Sequence, residues 1–380
     1  MKKILSILLL TSFSLASYAG GHAMSDNGHN SMSSAKSSSG VHFYGRMYVG
    51  YDDRSEGRAA DDESLEDGGN KSRLGVKFKE NLGGGLQLIG NIEYKFDGID
   101  GTSNDGADCS NGGDNCRTFN LHVGNLGFKT GLGYIGAGTY ESPYKTMGQF
   151  DHNIDTAWAL NQHGATSTGN AGIDGNIEGV LSYHNQMGPL ELAYMYALND
   201  TEAANDETNT DQGDYAMGLQ LKDMFMAGLT LGYSRSHSHD DGTSNDRFYA
   251  SMKVLPNAGV FVSHEDLQIT RSYSNMANVQ GNVQTFGTHY SLGSTDLQAV
   301  YARGSADGTN NAQDYKSFAL SAKMNLSKTS DLTFGYAEQD FDATGTDVTT
   351  RGIGLTHRFQ STSIKYKLPN LRNQVRFFFD

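Results

Sequence analysis

The sequence is poor in proline, cysteine and tryptophan, and it has no long apolar run beyond its first residues. Its 380 residues include four prolines, two cysteines and one tryptophan, and only 37% are hydrophobic. No stretch after the N-terminus approaches the roughly 18 consecutive apolar residues of a membrane helix, which excludes a helical membrane protein. The formal net charge of −14 disfavours nucleic-acid binding.

The hydrophobic fraction is low for a protein with a large buried core, and disorder is one explanation of it. The aromatic content of 10%, with 20 tyrosines and 18 phenylalanines, argues against disorder. A β-barrel with a polar interior resolves the conflict, because only its outer face has to be apolar.

The N-terminus indicates export from the cytoplasm. Lys2 and Lys3 precede a short apolar stretch from Ile4 to Ala16, and Ser17-Tyr18-Ala19 supplies a small-x-small cleavage site. This pattern is typical of a secretory signal peptide, which we assign to residues 1–19. Residues 20–40 are rich in Gly, Ser, His and Asn and lack periodicity, so we expect a flexible leader there.

The two cysteines, Cys109 and Cys116, lie in the turn-rich stretch TSNDGADCSNGGDNC. In an exported protein such a pair predicts a disulfide that closes a small surface loop. Two free thiols are the alternative. Two cysteines alone do not make a metal site.

From Val41 onward the hydrophobicity alternates with a period of two, which predicts strands with one apolar and one polar face. In RLGVKFK, Leu74, Val76 and Phe78 alternate with polar residues; in the next segment Ile89 is out of step. We predict 16 strands, at 43–52, 73–79, 86–96, 117–128, 133–139, 177–185, 190–198, 213–221, 228–237, 246–254, 259–266, 283–292, 295–302, 318–326, 332–336 and 353–359.

The connections between these strands alternate in length. The short ones are 81–85, 185–189, 255–258 and 327–330, and the long ones are 54–71, 97–116, 140–176, 199–212, 267–282, 303–314 and 337–352. Outer-membrane barrels have short periplasmic turns and long external loops, whereas a water-soluble sandwich has no reason to alternate in this way. The sequence therefore predicts a transmembrane antiparallel β-barrel of 16 strands over residues 41–359, with both termini periplasmic.

Four segments resemble the general porins of Gram-negative bacteria: GRMYVGYD, SRLGVKFKENLGGGLQ, YESPYKTMGQFD and GIGLTHRF. The third is similar to the start of that family's pore-constricting loop. The resemblance implies an outer-membrane homotrimer whose third external loop folds into a water-filled channel, where small hydrophilic solutes and ions diffuse passively. An adhesin or a structural surface barrel is the alternative function.

Selectivity in such a channel depends on the charged groups at its narrowest point. We expect Arg46, Arg73 and Lys77 to line the pore on neighbouring strands. Opposite them, the inward-folded loop carries three acidic candidates, Asp151, Asp155 and Asp174. Each of the six could equally be a solvated lumen or loop charge. The loop acids and the acidic net charge predict a weak cation preference, which the three basic residues oppose.

The sequence also bears on binding to lipopolysaccharide, on metal binding and on enzyme activity. Acidic loops such as 61–67 and 199–214 could bridge to lipopolysaccharide through divalent cations, although solubility also explains them. A SHSHDD segment at 236–241 contains two histidines beside two aspartates, but it runs into a loop and is not assigned as a metal site. No GxSxG motif stands out. We therefore expect no enzyme activity, metal or cofactor.

The C-terminus departs from the family pattern, in which the chain ends on an aromatic residue that closes the last strand. Here that aromatic is Phe359, and the chain continues from Gln360 to Asp380. Pro369 argues against a further membrane strand. We expect this extension to lie outside the barrel.

Overall fold

The computed structural model describes residues 39–56, 62–66, 72–96, 98–99, 119–148, 150–152, 156–160, 170–171, 173–198, 212–239, 243–268, 280–306, 314–342 and 347–360. The predicted signal peptide, nearly all of the leader, Cys109, Cys116 and the C-terminal extension after Gln360 lie outside these residues. The statements below concern the described part of the chain.

The described residues form 19 strands and one short helix. The strands are β1 (Gly40–Glu56), β2 (Asp62–Glu66), β3 (Arg73–Gly83), β4 (Leu86–Lys95), β5 (Asn120–Thr130), β6 (Gly133–Glu141), β7 (Asn170–Ala171), β8 (Ile173–Asp174), β9 (Asn176–Met187), β10 (Leu190–Ala197), β11 (Tyr215–Lys222), β12 (Leu229–Ser238), β13 (Thr243–Leu255), β14 (Ala258–Gln268), β15 (Gln280–Leu292), β16 (Thr295–Ala306), β17 (Tyr315–Asn325), β18 (Ser330–Phe341) and β19 (Val348–Gln360). The helix is α1 (Pro143–Thr146).

Sixteen of these strands form one closed antiparallel barrel, which confirms the predicted fold. Each barrel strand pairs with the next along the chain, and β19 returns to pair with β1, with Val49 opposite Leu355. Strand β2 pairs with one end of β1, and the two-residue strands β7 and β8 pair with each other. Closure satisfies the backbone hydrogen-bonding groups that an open sheet would leave at its edges.

The two ends of the barrel differ in their connections. At the end we call the turn end, the connections are residues 84–85, 131–132, 188–189, 223–228, 256–257, 293–294 and 326–329. At the opposite loop end, the longest are 96–119 and 142–175, while β12 and β13 are joined by only 239–242. Gly84 and Gly85 have φ of 61° and 84°, which favour glycine in the first tight turn.

The outer face of the barrel is apolar because the alternating strands place their large hydrophobic residues there. Met47, Leu74 and Ile92 are 48%, 42% and 44% exposed on three neighbouring strands. Ile89, the residue out of step in the sequence, faces inward and packs against a buried cluster that includes Tyr134. No helix of the described residues is long and apolar enough to cross a membrane.

The largest buried apolar cluster lies inside the barrel. It joins Trp158 and Leu160, which follow β6 in a loop, to inward residues of β14–β18 such as Phe261 and Val300. The expected polar interior is therefore interrupted on these strands, although they also carry buried inward polar residues such as Glu265 and Gln298. The apolar inward residues are buried here because the loop covers them.

Candidate functional site in the lumen

In the segment between β6 and β9, the described residues 142–148, 150–152 and 156–160 lie inside the barrel, and we call them the lumen loop. It begins with the single turn of α1, where Ser142 Oγ accepts a hydrogen bond from Lys145 N at 3.1 Å and Pro143 occupies the first turn. Serine before proline is a typical start of a helix. The backbone is extended again at Met147, so the chain can cross toward the opposite strands.

A buried ion pair anchors the start of the lumen loop to the wall. Arg247 of β13 and Glu265 of β14 are 3.0 Å apart (Nε to Oε1), with side chains 1% and 0% exposed. Arg247 Nη1 donates a hydrogen bond to Tyr144 O at 2.7 Å, and Tyr144 Oη donates to Glu265 Oε2 at 3.2 Å. The guanidinium carbon lies 4.3 Å from the centre of the Tyr144 ring. One loop residue therefore contacts both members of the buried ion pair.

Aromatic packing continues the attachment. The Phe150 ring stacks on Phe261 of β14 with 4.5 Å between ring centroids, and it meets Tyr249 of β13 edge-on at 5.8 Å. Gln298 of β16 accepts a hydrogen bond from His152 N at 3.2 Å and donates one to Phe150 O. The lumen loop is thus bound through its backbone as well as its side chains.

Trp158 makes the furthest contact across the barrel, against β18 and β19. Its side chain is only 1% exposed. A Cβ atom added at Gly335 would lie 2.1 Å from the indole, and one added at Gly352 would lie 2.6 Å from it. Glycine at both positions leaves the space that the indole fills. The lumen loop consequently covers the inner faces of β13–β19, which we call the covered wall.

The three predicted loop acids are not brought together by the described residues. Asp151 is 8% exposed, and its Oδ2 accepts a hydrogen bond from Leu160 N at 2.7 Å, which braces the lumen loop. Asp155 lies outside the described residues. Asp174 is in β8, where only its backbone is described. Their roles in the pore stay predictions.

Opposite the lumen loop, four cations lie in one cross-strand row, which we call the cation row. Arg46 of β1 is the register partner of Arg358 of β19 on one side and of Arg73 of β3 on the other. Arg73 in turn pairs with Lys95 of β4. All four belong to the inward-facing sets of their strands, since their neighbours Met47, Leu74, Tyr94 and Phe359 are exposed on the outer face.

Like charges directly opposite each other destabilise a sheet, so the cation row is costly for folding. Carboxylates offset part of that cost: Arg73 Nη1 lies 3.2 Å from Glu93 Oε1, and Arg358 contacts Asp331. Because barrel strands tilt relative to the axis, a row perpendicular to the strands climbs along the channel. Arg358 is near the turn end of β19, whereas Lys95 is at the loop end of β4.

Further basic side chains lie between the cation row and the turn end. Lys77 Nζ is 4.6 Å from the centre of the Tyr44 ring, and Tyr44 Oη donates a hydrogen bond to Asn91 at 2.9 Å. Lys79 and Lys129 face inward on β3 and β5. In the described part of β1, β3, β4 and β5, these three lysines share that region with a single inward carboxylate, Glu93. We call these four strands the basic wall.

A chain of charged and polar side chains links the basic wall to the lumen loop. His122 is 1% exposed, and its Nδ1 lies 2.6 Å from Glu93 Oε1 while its Nε2 lies 3.6 Å from Glu141 Oε1. Glu141 Oε1 is also 2.9 Å from Lys145 Nζ of α1. Both carboxylates are therefore already engaged by protein cations.

The sequence-based site was incomplete. The structure places Arg46 and Arg73 side by side and Lys77 on the same wall, but Lys95 and Arg358 complete their row. The alternation put Lys95 on the polar face, and only strand register could align it with Arg73. The Arg247–Glu265 pair and Trp158 were missed, because nothing local indicates that a loop will cover them.

Comparison with known families assigns residues 11–368 to the model described as Gram-negative porin. A curated relative is the major outer membrane protein P.IB of Neisseria meningitidis serogroup B / serotype 15 (strain H44/76). It is 23% identical over 303 residues, which cover 76% of this chain and 83% of the relative.

Solved structures share the fold at low sequence identity. An anion-selective porin from Comamonas acidovorans superposes with a TM-score of 0.62 and 16% identity, covering 84% of this chain and 100% of that structure. OmpT of Vibrio cholerae, in its trimer form, gives a TM-score of 0.55 and 14% identity, covering 85% and 100%.

Proposed function

The chain belongs to the Gram-negative porin family and forms an outer-membrane channel for passive diffusion of small hydrophilic solutes and ions, and we propose that this channel favours anions. The observation that carries the proposal is the cation row, three of whose four members lie on the basic wall. In a narrow lumen with low-dielectric walls, charges of one sign raise the local concentration of counter-ions.

The sign of this preference is opposite to the weak cation preference suggested by the loop acids. The loop acids can produce a preference for cations only if their carboxylates face the lumen. The described contact of Asp151 turns its carboxylate toward Leu160 N, and Glu93 and Glu141 are bound to basic side chains. The cations of the basic wall outnumber these three carboxylates.

Reversal potentials under a KCl gradient test the proposal. We expect the wild-type protein to pass Cl⁻ more readily than K⁺, and the double variant Arg46→Gln/Lys95→Gln to lose most of that preference. Arg73 is kept because it holds Glu93. The preference should weaken in 1 M salt, where the screening length is only about 3 Å.

A matched control removes two cations from the outer face instead. Arg235 and Arg351 are ion-paired there with Asp246 and Asp53. Arg235→Gln/Arg351→Gln should therefore leave the permeability ratio unchanged. A cation-preferring wild type, or equal effects of the two double variants, would overturn the proposal.

The lumen loop acts, in this proposal, as the constriction that sets the size limit for solutes. Its anchors at Tyr144, Phe150 and Trp158 hold it against the covered wall. The path for solutes then runs between the lumen loop and the basic wall. The described charges serve attraction and anchoring, and the proposal includes no catalytic step, metal or cofactor. An adhesin or structural role is not favoured; a plugged barrel would show no conductance in planar bilayers.

We further propose a homotrimer, as the family resemblance implies and as the trimer form of the Vibrio cholerae OmpT structure supports. Unheated samples on a denaturing gel should migrate at three times the mass of heated ones. A single band at the monomer position, for protein with normal conductance, would contradict this assembly.

A further inference from the structure

The outer face of the barrel carries an aligned polar row on three neighbouring strands, which we call the outer row. Gln284 of β15 is the register partner of Arg303 of β16, and Arg303 is the partner of Lys316 of β17. All three side chains are exposed. They share the outer face with the exposed Phe286, Tyr301 and Leu320 of the same strands.

The outer row lies at the external edge of the apolar band. Arg303 is three residues from the loop end of β16, and Lys316 is one residue from the loop end of β17. One step toward the turn end, Phe286, Tyr301 and Phe318 form an aromatic row in the same register. Aromatic girdles mark the membrane interface in such barrels, so the outer row is level with the headgroups of the outer leaflet.

Other cations at this edge are neutralised within the protein. Arg235 Nη1 is 3.3 Å from Asp246 Oδ1, and Arg351 contacts Asp53. Within the described residues, neither Arg303 nor Lys316 has an ion pair within 4.0 Å or a hydrogen bond. Asp340 is opposite Lys316 in register, and no carboxylate is opposite Arg303. Asp340 therefore offsets part of the charge of Lys316, whereas Arg303 lies beside another cation with no carboxylate facing it, which is unfavourable in a sheet.

We propose that the outer row binds a phosphate group of the outer-leaflet glycolipid, lipopolysaccharide. Arg303 presents a planar fork of donors suited to phosphate oxygens, Lys316 adds a second positive charge, and the Gln284 amide can donate a further hydrogen bond. The acyl chains of the same molecule would lie on the aromatic row below. A free phosphate ion lacks that second contact, which is why the site suits a lipid.

This mode differs from a bridge between acidic loops and lipopolysaccharide through divalent cations. A bridge requires Mg²⁺ or Ca²⁺, whereas direct contact with Arg303 and Lys316 does not. Chelation with EDTA therefore separates the two modes.

The test uses the purified full-length protein in detergent, with diphosphoryl lipid A as the probe and native mass spectrometry in EDTA as the readout. We expect Arg303→Gln/Lys316→Gln to bind lipid A at least tenfold more weakly than wild type. The control Arg235→Gln/Arg351→Gln removes the same charge from the same face and should bind within twofold of wild type. The exchange Arg303→Lys/Lys316→Arg keeps both charges and should restore binding.

Heat-modifiable migration and wild-type conductance verify that each variant is folded. Dephosphorylated lipid A should bind the wild-type protein no more tightly than diphosphoryl lipid A binds Arg303→Gln/Lys316→Gln. Loss of wild-type binding in EDTA, or equal binding by both double variants, would overturn the proposal. Binding of inorganic phosphate as tight as that of lipid A would overturn the assignment to a lipid.

Discussion

The basic wall and the covered wall use the same strand architecture for opposite purposes. The basic wall leaves its inward polar side chains facing the lumen, with Arg46, Arg73 and Lys95 in direct register. The covered wall presents apolar or small inward residues such as Phe261, Val300 and Ala337, and it buries them under the lumen loop. In the proposed function, the basic wall interacts with solutes and the covered wall holds the element that narrows their path.

This difference shows that an inward face of a barrel strand is not always polar. A strand between lipid and water needs one apolar face, but a strand between lipid and a docked loop can carry apolar residues on both. Val283, Val300 and Ala302 are inward residues buried in this way. Apolar residues on the inner face of a barrel strand thus indicate where a loop is attached.

The largest expected effect comes from removing the cover. Deletion of Gln149 to Asp174 should raise single-channel conductance at least twofold, because the segment that occupies the lumen is lost. The deletion also exposes the covered wall to water and should lower thermal stability. Planar-bilayer recordings check the conductance, and unchanged conductance in a correctly assembled trimer would refute the constriction assignment.

Breaking the buried ion pair should have a smaller effect on the same element. Glu265→Ala leaves Arg247 buried without its carboxylate, which typically costs about 3–5 kcal/mol. We expect a noisier open channel and a lower unfolding temperature. The control Asp266→Ala changes the adjacent acidic residue, which is exposed on the outer face. Identical recordings from the two variants would show that the pair does not anchor the loop.

A single methyl group tests the Trp158 contact. Gly335→Ala places a Cβ 2.1 Å from the indole, so the side chain must shift. Overpacking of this kind costs about 1–3 kcal/mol, which should appear as a lower midpoint of thermal unfolding. In the background of Trp158→Leu the same substitution should cost much less. Equal losses in both backgrounds would mean that the indole is not the source of the strain.

The smallest effect is expected at the seam where β19 joins the basic wall. The register with β1 runs from Val348 to Gln360, which pairs with Tyr44. Truncation after Gln360 keeps every one of these pairs, so heat-resistant trimers and conductance should be unchanged. Failure of the truncated chain to assemble would place the extension within the barrel.

The sequence was sufficient to predict the strands, since each of the 16 expected segments overlaps a barrel strand. Alternation is a local property, and lipid on one side enforces it. Closure of β19 on β1 was also predictable, from an even strand count and from Phe359 at the end of the last clear period. The first and last described barrel strands, Gly40–Glu56 and Val348–Gln360, contain the first and last expected segments.

The site was less predictable because it depends on pairs that are distant in the chain. Arg46 and Arg358 are neighbours only through closure of the barrel, and Arg247 meets Tyr144 only because the lumen loop turns inward. A local pattern contains neither fact. The segment YESPYKTMGQFD indicated an inward loop by resemblance, but the inward apolar residues that receive it were not recognised.

Trp158 gives the protein an internal optical probe. It is the single tryptophan of the chain, and it lies on the lumen loop rather than in the barrel frame. Indole emission from the unlabelled protein therefore originates from one place, where Gly335 and Gly352 meet the loop. A red shift, or faster quenching by acrylamide, would report release of the loop from the covered wall without any added fluorophore.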